Sequence, residues 1–152
     1  MSQYIIRELK SEELPSLKAL GEQFTRESKY VKIDHNYFIK SWESFLSANI
    51  GVIFIAKTEL GEIAGAIGAL KFNEPNCGTL MANELFWIVA PDHRGGCGIQ
   101  LLNRLEKWAE DEGCKWLWMN YLIDSMPEKV QGIYERKGFT IAETHWVKEI
   151  SK

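Results

Sequence analysis

Apolar positions recur along the chain in two rhythms, one near two residues and one near three to four, and together they lay out a mixed α/β protein. Tyr4-Ile5-Ile6-Arg7 reads as a short strand. Ser11 follows as a candidate N-cap, Glu13 adds charge to a first turn, and Leu14, Leu17, Leu20 and Phe24 fall on one face of a helix. Phe38, Trp42 and Phe45 mark a second helix from about Asn36 to Ala48. Gly51 to Ala56 and Ile63 to Phe72 predict two strands joined through Glu59-Leu60-Gly61-Glu62, a hairpin. Asn73 to Gly78 reads as a loop, and Thr79 to Val89 as a long strand. That strand ends in the unbroken apolar run Leu85-Phe86-Trp87-Ile88-Val89, which suits a strand covered on both faces. Past the turn Pro91 to Gly98, Ile99, Leu102, Leu105 and Ala109 recur at helical spacing up to a C′ stop at Gly113. Lys115 to Ile123 reads as another buried strand, Pro127 as the first position of a helix ending near Lys137-Gly138, and Thr140 to Ile150 as a final strand. The order β-α-α-β-β-β-α-β-α-β predicts an α/β fold, a mixed sheet flanked by helices, in a single domain over residues 1–152.

Composition narrows the function classes. The chain is 45% hydrophobic and 26% charged with a net charge of −3, an ordinary globular balance without any run of Lys or Arg, so nucleic acid is set aside as a partner. Cys77, Cys97 and Cys114 are odd in number and form no CxxC pair, so neither a disulfide framework nor a metal site follows. Met1-Ser2-Gln3-Tyr4 lacks a basic, then apolar, leader, and no stretch approaches a membrane span. The expectation is a cytoplasmic chain with reduced thiols and no membrane partner.

The strongest local signal is a strand, then His93-Arg94-Gly95-Gly96-Cys97-Gly98, then a helix. The first amides of a helix have no partner within it, and the helix dipole adds positive character there. Glycines let a bulky anion approach the backbone, so this arrangement can hold a phosphate, with Arg94 adding a charged contact. A tight strand-to-helix turn is the alternative reading of the same glycines. The loop is not a P-loop, for the Gly-x-x-x-x-Gly-Lys-Ser/Thr pattern is missing, and it lacks the full dinucleotide-binding spacing.

The run from Leu85 to Leu102 resembles motif A of the GNAT family of N-acetyltransferases, Arg/Gln-x-x-Gly-x-Gly/Ala after the fourth strand with two leucines in the next helix. Gly96, Gly98, Leu101 and Leu102 match when His93 takes the Arg/Gln position, which is a departure; a register with Arg94 there puts Cys97 and Ile99 on the glycine positions and fits worse. Ile133-Tyr134-Glu135-Arg136-Lys137-Gly138-Phe139 resembles the family's Tyr-x-x-x-Gly-Phe, with Pro127 and Val130 where the family often carries Asn and Ala. The two motifs stand in the family's order, and the resemblance spans nearly the whole chain in element order. Glu143 to Ile150 is also similar to phage-encoded acetyltransferases.

The resemblance implies acetyl-CoA as co-substrate and an amine as acceptor, with direct transfer in a ternary complex. It implies that Trp87, Ile88 and Val89 bond the pantetheine arm through their main chain, while His93, Arg94, Gly95, Gly96, Cys97, Gly98 and Ile99 surround the phosphates. Tyr134 is by resemblance the general acid that protonates the leaving thiolate, with a packed core tyrosine as the alternative. Glu84, just before the apolar run, is the candidate base acting through water, with a half-exposed, ion-paired strand glutamate as the alternative. Asn120 either bonds pantetheine or satisfies backbone. Cys97 sits at a helix start, where a thiol pKa can fall, and a small loop residue is its plainer reading. His35 and His145 have no ligand-spaced partners, and among the tryptophans Trp42 and Trp146 are candidates for walling a substrate pocket. Two rival functions stay open: a non-catalytic acyl-CoA-binding module on the same fold, and an interaction protein whose glycine loop is only a turn. The acceptor's identity is not readable, and a homodimer is left open.

Overall fold

The computed structural model describes residues 3–151 and divides the chain into two compact units, the first ending at Asn120 and the second beginning at Tyr121. The first unit is built on a five-stranded sheet in sequence order, with β1 (Tyr4–Glu8), β2 (Gly51–Thr58), β3 (Ile63–Asn73) and β4 (Leu80–Val89) antiparallel and β5 (Trp116–Trp118) parallel to β4. Residues along β2 alternate between two cores, as a period of two requires. Ile53 and Ile55 join Leu14, Leu17, Leu20 and Trp42 on one face, while Val52, Phe54 and Ala56 join Cys97, Leu101 and Leu105 on the other. Helices α1 (Lys18–Glu27) and α2 (His35–Ser47) therefore cover the first face and α3 (Gly96–Asp111) the second.

Several element starts differ from the sequence reading for local reasons. Ser11 is not a helix cap; a 3₁₀ turn spans Ser11–Leu17 and contains Pro15, which has no amide to donate to a regular helix. The Lys10 amide donates instead to the Glu13 carboxylate at 2.9 Å, and Arg7 grips the same carboxylate at 2.6 and 2.9 Å. The Arg7 guanidinium, with that amide, holds the Glu13 carboxyl down to about 2. Helix α2 begins one residue earlier than expected because Asp34 caps it, accepting from the Tyr37 amide at 2.8 Å. In α3 the buried stripe is Cys97, Gly98, Leu101, Leu102, Leu105 and Ala109, so the core face starts inside the glycine loop and Ile99 lies at its margin.

The second unit holds α4 (Pro127–Arg136), which opens on proline as expected, and the Phe139 amide returns to the Tyr134 carbonyl at 2.9 Å. The strand expected over Thr140 to Ile150 is not formed. Its residues are exposed, Trp146 to 94%, and β-forming side chains do not make a strand without a partner ladder. The strand expected over Lys115 to Ile123 shrinks to Trp116–Trp118, a shortening that shapes the site.

Candidate active site

The site begins with an irregularity in β4. Gly68 pairs with Phe86 and Ala69 with Glu84, so Leu85 is the extra residue of a bulge. The bulge breaks the expected double burial: Leu85 turns out to solvent at 45% exposure between buried Glu84 and Phe86. On the other side of β4, β5 pairs only with Met81, Ala82 and Asn83. Beyond Asn83, β4 runs on from Glu84 to Val89 with no strand beside it on the β5 side among the described residues. The β4–β5 ladder thus ends here, in a fork at the open edge of β4.

Glu84 and Asn120 close the apex of the fork. The Asn120 main-chain amide donates to Glu84 Oε2 at 3.1 Å, and Asn120 Nδ2 donates to the Glu84 carbonyl at 3.0 Å. Side chains thereby take over a step that main-chain groups would make in a continuing parallel ladder. Glu84 is only 6% exposed and, among the described residues, makes no ion pair, so it is not the half-exposed, ion-paired strand residue of the alternative reading. Burial pushes its carboxyl up to about 7, and the bonds that Oε2 accepts from the Asn120 amide at 3.1 Å and from Asn120 Nδ2 at 3.5 Å pull the other way without cancelling the rise.

Past the fork, β4 leads through Pro91–His93 into the glycine loop. Gly95 is the N-cap of α3, at φ 128° and ψ −115°, a conformation that only glycine adopts without strain. No side chain caps the helix there, and a Cβ on Gly95 would meet nothing within 4 Å. Gly98 serves a different purpose: its Cβ would lie 3.4 Å from the Trp87 ring and 3.5 Å from the Val89 side chain, so this glycine lets α3 lie close on β4. An uncapped, open helix start with close backbone access fits a phosphate, and the fork beside it fits an extended arm.

The side chains of the loop are engaged with the protein. His93 Nδ1 and the Tyr4 hydroxyl are 3.0 Å apart, their rings edge to face. Arg94 pairs with Glu27 of α1 at 3.0 and 3.1 Å, and its Nε donates to the Val89 carbonyl at 3.4 Å. Gln23 of α1 donates to that same carbonyl at 3.3 Å. Cys97 is fully buried, and burial pushes its thiol up to about 11, the reverse of activation at a helix start. Gln23, Glu27 and Tyr4 escaped the sequence reading because no local spacing ties an N-terminal helix or strand to a loop 66 to 89 residues on. Ile99 follows Gly98 in the first turn of α3, half-buried. Tyr134 lies in the second unit, buried, its ring 5.4 Å from that of Phe139. Among the described residues no group of His, Cys, Asp or Glu is arranged to hold a metal ion, and no helix is long and apolar enough to cross a membrane.

Comparison with known proteins agrees with this fold. No curated protein sequence matches the chain. Among solved structures the chain is similar to a ribosomal-protein-alanine N-acetyltransferase from Brucella melitensis biovar Abortus 2308 (19% identity, TM-score 0.75, 97% of this chain and 99% of that one). It is also similar to glucosamine-6-phosphate N-acetyltransferase from Arabidopsis thaliana (17% identity, TM-score 0.76, 99% and 100% covered). A third is AAC(6')-Iy in complex with the bisubstrate analog CoA-S-monomethyl-acetylneamine (18% identity, TM-score 0.77, 99% and 100% covered). At these identities the likeness is one of fold. Residues 49–141 match the family model described as the acetyltransferase (GNAT) domain, a span that holds the fork, the glycine loop and α4. The chain belongs to the GNAT acetyltransferases, a family of acyl-transfer enzymes.

Proposed function

We propose that the chain transfers the acetyl group of acetyl-CoA to a primary amine by direct attack in a ternary complex. The observation that carries this reading is the fork in β4 running straight into an uncapped glycine start of α3. On it, the amides of Gly96, Cys97 and Gly98 hold the pyrophosphate, and the main chain of Trp87 to Val89 holds the pantetheine arm. Acetyl-CoA supplies an activated thioester: the acceptor nitrogen bonds to the acetyl carbon, the carbon–sulfur bond breaks, and the proton lost by nitrogen is matched by one gained by sulfur. Glu84, poised to titrate near neutrality, takes the proton from the amine through water. Tyr134 gives one to the thiolate, and Asn120 positions Glu84 at the fork. Calorimetry with acetyl-CoA, followed by a screen of amine classes for release of the CoA thiol, tests the reading. Binding with turnover upholds it, and no heat of binding removes it.

One observation favours a second reading, acyl-CoA binding without turnover: the Glu84 carboxylate already accepts the Asn120 amide and so holds the fork together. Binding with no thiol released from any amine class would select it.

A further inference from the structure

A cavity of about 30 Å³ lies on the face of the sheet covered by α1 and α2. Its floor is Ala66 of β3 with Phe86 and Ile88 of β4, and its walls include Leu20, Ile33 and Phe38. The floor is stiff, since Phe86 is braced by Phe38 and Trp42 at ring separations of 5.6 and 5.5 Å. Polar groups enter only as Lys18, Glu22 and His35, and the one carboxylate is offset by the lysine. A polycationic acceptor would find no set of carboxylates there to replace its water. The volume corresponds to roughly two water-sized spheres, which is room for an ethyl or isopropyl group. Phe86 and Ile88 also belong to the stretch of β4 that borders the fork. A group seated on them sets its neighbouring atoms beside the stretch of β4, Trp87 to Val89, proposed to hold the pantetheine arm.

We propose that this cavity selects the acceptor and takes a short aliphatic branch on the carbon that bears the amine. The proposal rests on the acetyl-transfer reading and adds the substrate class to it. The same chemistry is offered by a free branched amino-acid amide and by a peptide N-terminus with a small apolar first residue.

The test compares glycinamide, valinamide, a valine-initiated tripeptide and spermidine as acceptors, with the methyl NMR signals of Ile33 and Ile88 followed as each is titrated. Expected are methyl shifts with both valine compounds, none with spermidine, and a kcat/KM for valinamide roughly 10–100-fold above that for glycinamide. Either order of valinamide and tripeptide upholds the pocket and tells the two sources apart. Ile33→Phe should fill the cavity and erase the valinamide advantage, and Ile33→Ala should enlarge it and favour leucinamide; the second variant keeps the test open should the first not fold. Acetyl-CoA binding with turnover but no preference for the branch, or a preference for spermidine, overturns the pocket and leaves acetyl transfer standing. Methyl shifts without any acetyl-CoA binding would uphold the pocket while removing the transfer reading.

Discussion

Glu84 is asked to do two things that respond to pH in opposite senses. Its folded carboxyl keeps a proton up to about 7, whereas in the unfolded chain it ionises in the usual carboxylate range. Between those limits the folded state binds more protons than the unfolded one, so stability falls as pH rises through the window and the loss is complete above about 7. The ceiling on this effect is about 3 kcal/mol. Glu84→Gln keeps the acceptor for the Asn120 amide and cannot ionise, so urea unfolding at pH 5 and pH 8 should show the slope flattened in the variant. The proposed base role runs the other way, since only the ionised carboxylate accepts a proton, and kcat should climb with pH through a limb near 7 that the same variant loses. A variant without the stability slope but with the kcat limb intact would leave Glu84 as a structural latch. Tyr134→Phe belongs to the same scale: it should lower kcat by roughly 10²-fold or more while acetyl-CoA affinity by calorimetry barely moves, and full turnover in that variant takes the phenol out of the mechanism.

At the scale of elements, the loop between β4 and α3 is where sequence and structure meet most closely. Strand, glycines and helix were legible because their cues are local: an apolar run, a glycine cluster, then leucines at helical spacing. The division of labour among the glycines was not legible, because only coordinates separate Gly95, needed for its backbone angle, from Gly98, needed for close packing. Gly95→Ala should cost about 1–3 kcal/mol through backbone strain although space surrounds it, seen as a Tm several degrees lower. Gly96→Glu, at an exposed position where a Cβ would meet only Gln100 Nε2 at 3.8 Å, should abolish acetyl-CoA binding in calorimetry, and unchanged affinity would move the phosphate elsewhere. The pairing of Arg94 with Glu27 was equally hidden, since it joins segments 67 residues apart. This pair is partly exposed, so its worth to stability is below about 1 kcal/mol. Its effect should be read in binding. If the arginine leaves Glu27 for a phosphate, Arg94→Ala weakens acetyl-CoA and Glu27→Gln strengthens it, and parallel changes in the two variants would rule out that competition.

Across the whole molecule, three of the strands the sequence identified well have their partners next to them in the chain. β2, β3 and β4 follow one another as antiparallel neighbours, so each strand's apolar pattern was enough to place it. β5 and residues 140–151 failed for a common reason: a strand is a pairing, and side-chain propensity says nothing of where the pairing stops. Trp116 to Trp118 find a ladder on β4, and the next residues lose it where Glu84 and Asn120 exchange side-chain bonds. Residues 140–151 carry Ile141, Trp146, Val147 and Ile150 in a pattern that suits a strand, yet all four are exposed and no main-chain hydrogen bond holds their amides among the described residues. Amide hydrogen exchange separates the two kinds of segment, because it reads the cost of opening each bond rather than the propensity of each residue. Amides of β2 and β3, fully laddered and buried, should exchange only through global unfolding, while those of residues 140–151 should exchange at close to unprotected rates. Protection of alternate amides from Thr140 to Ile150, of the kind an edge strand gives, would show that this segment finds a ladder in solution and would restore the tenth element that its apolar pattern predicts.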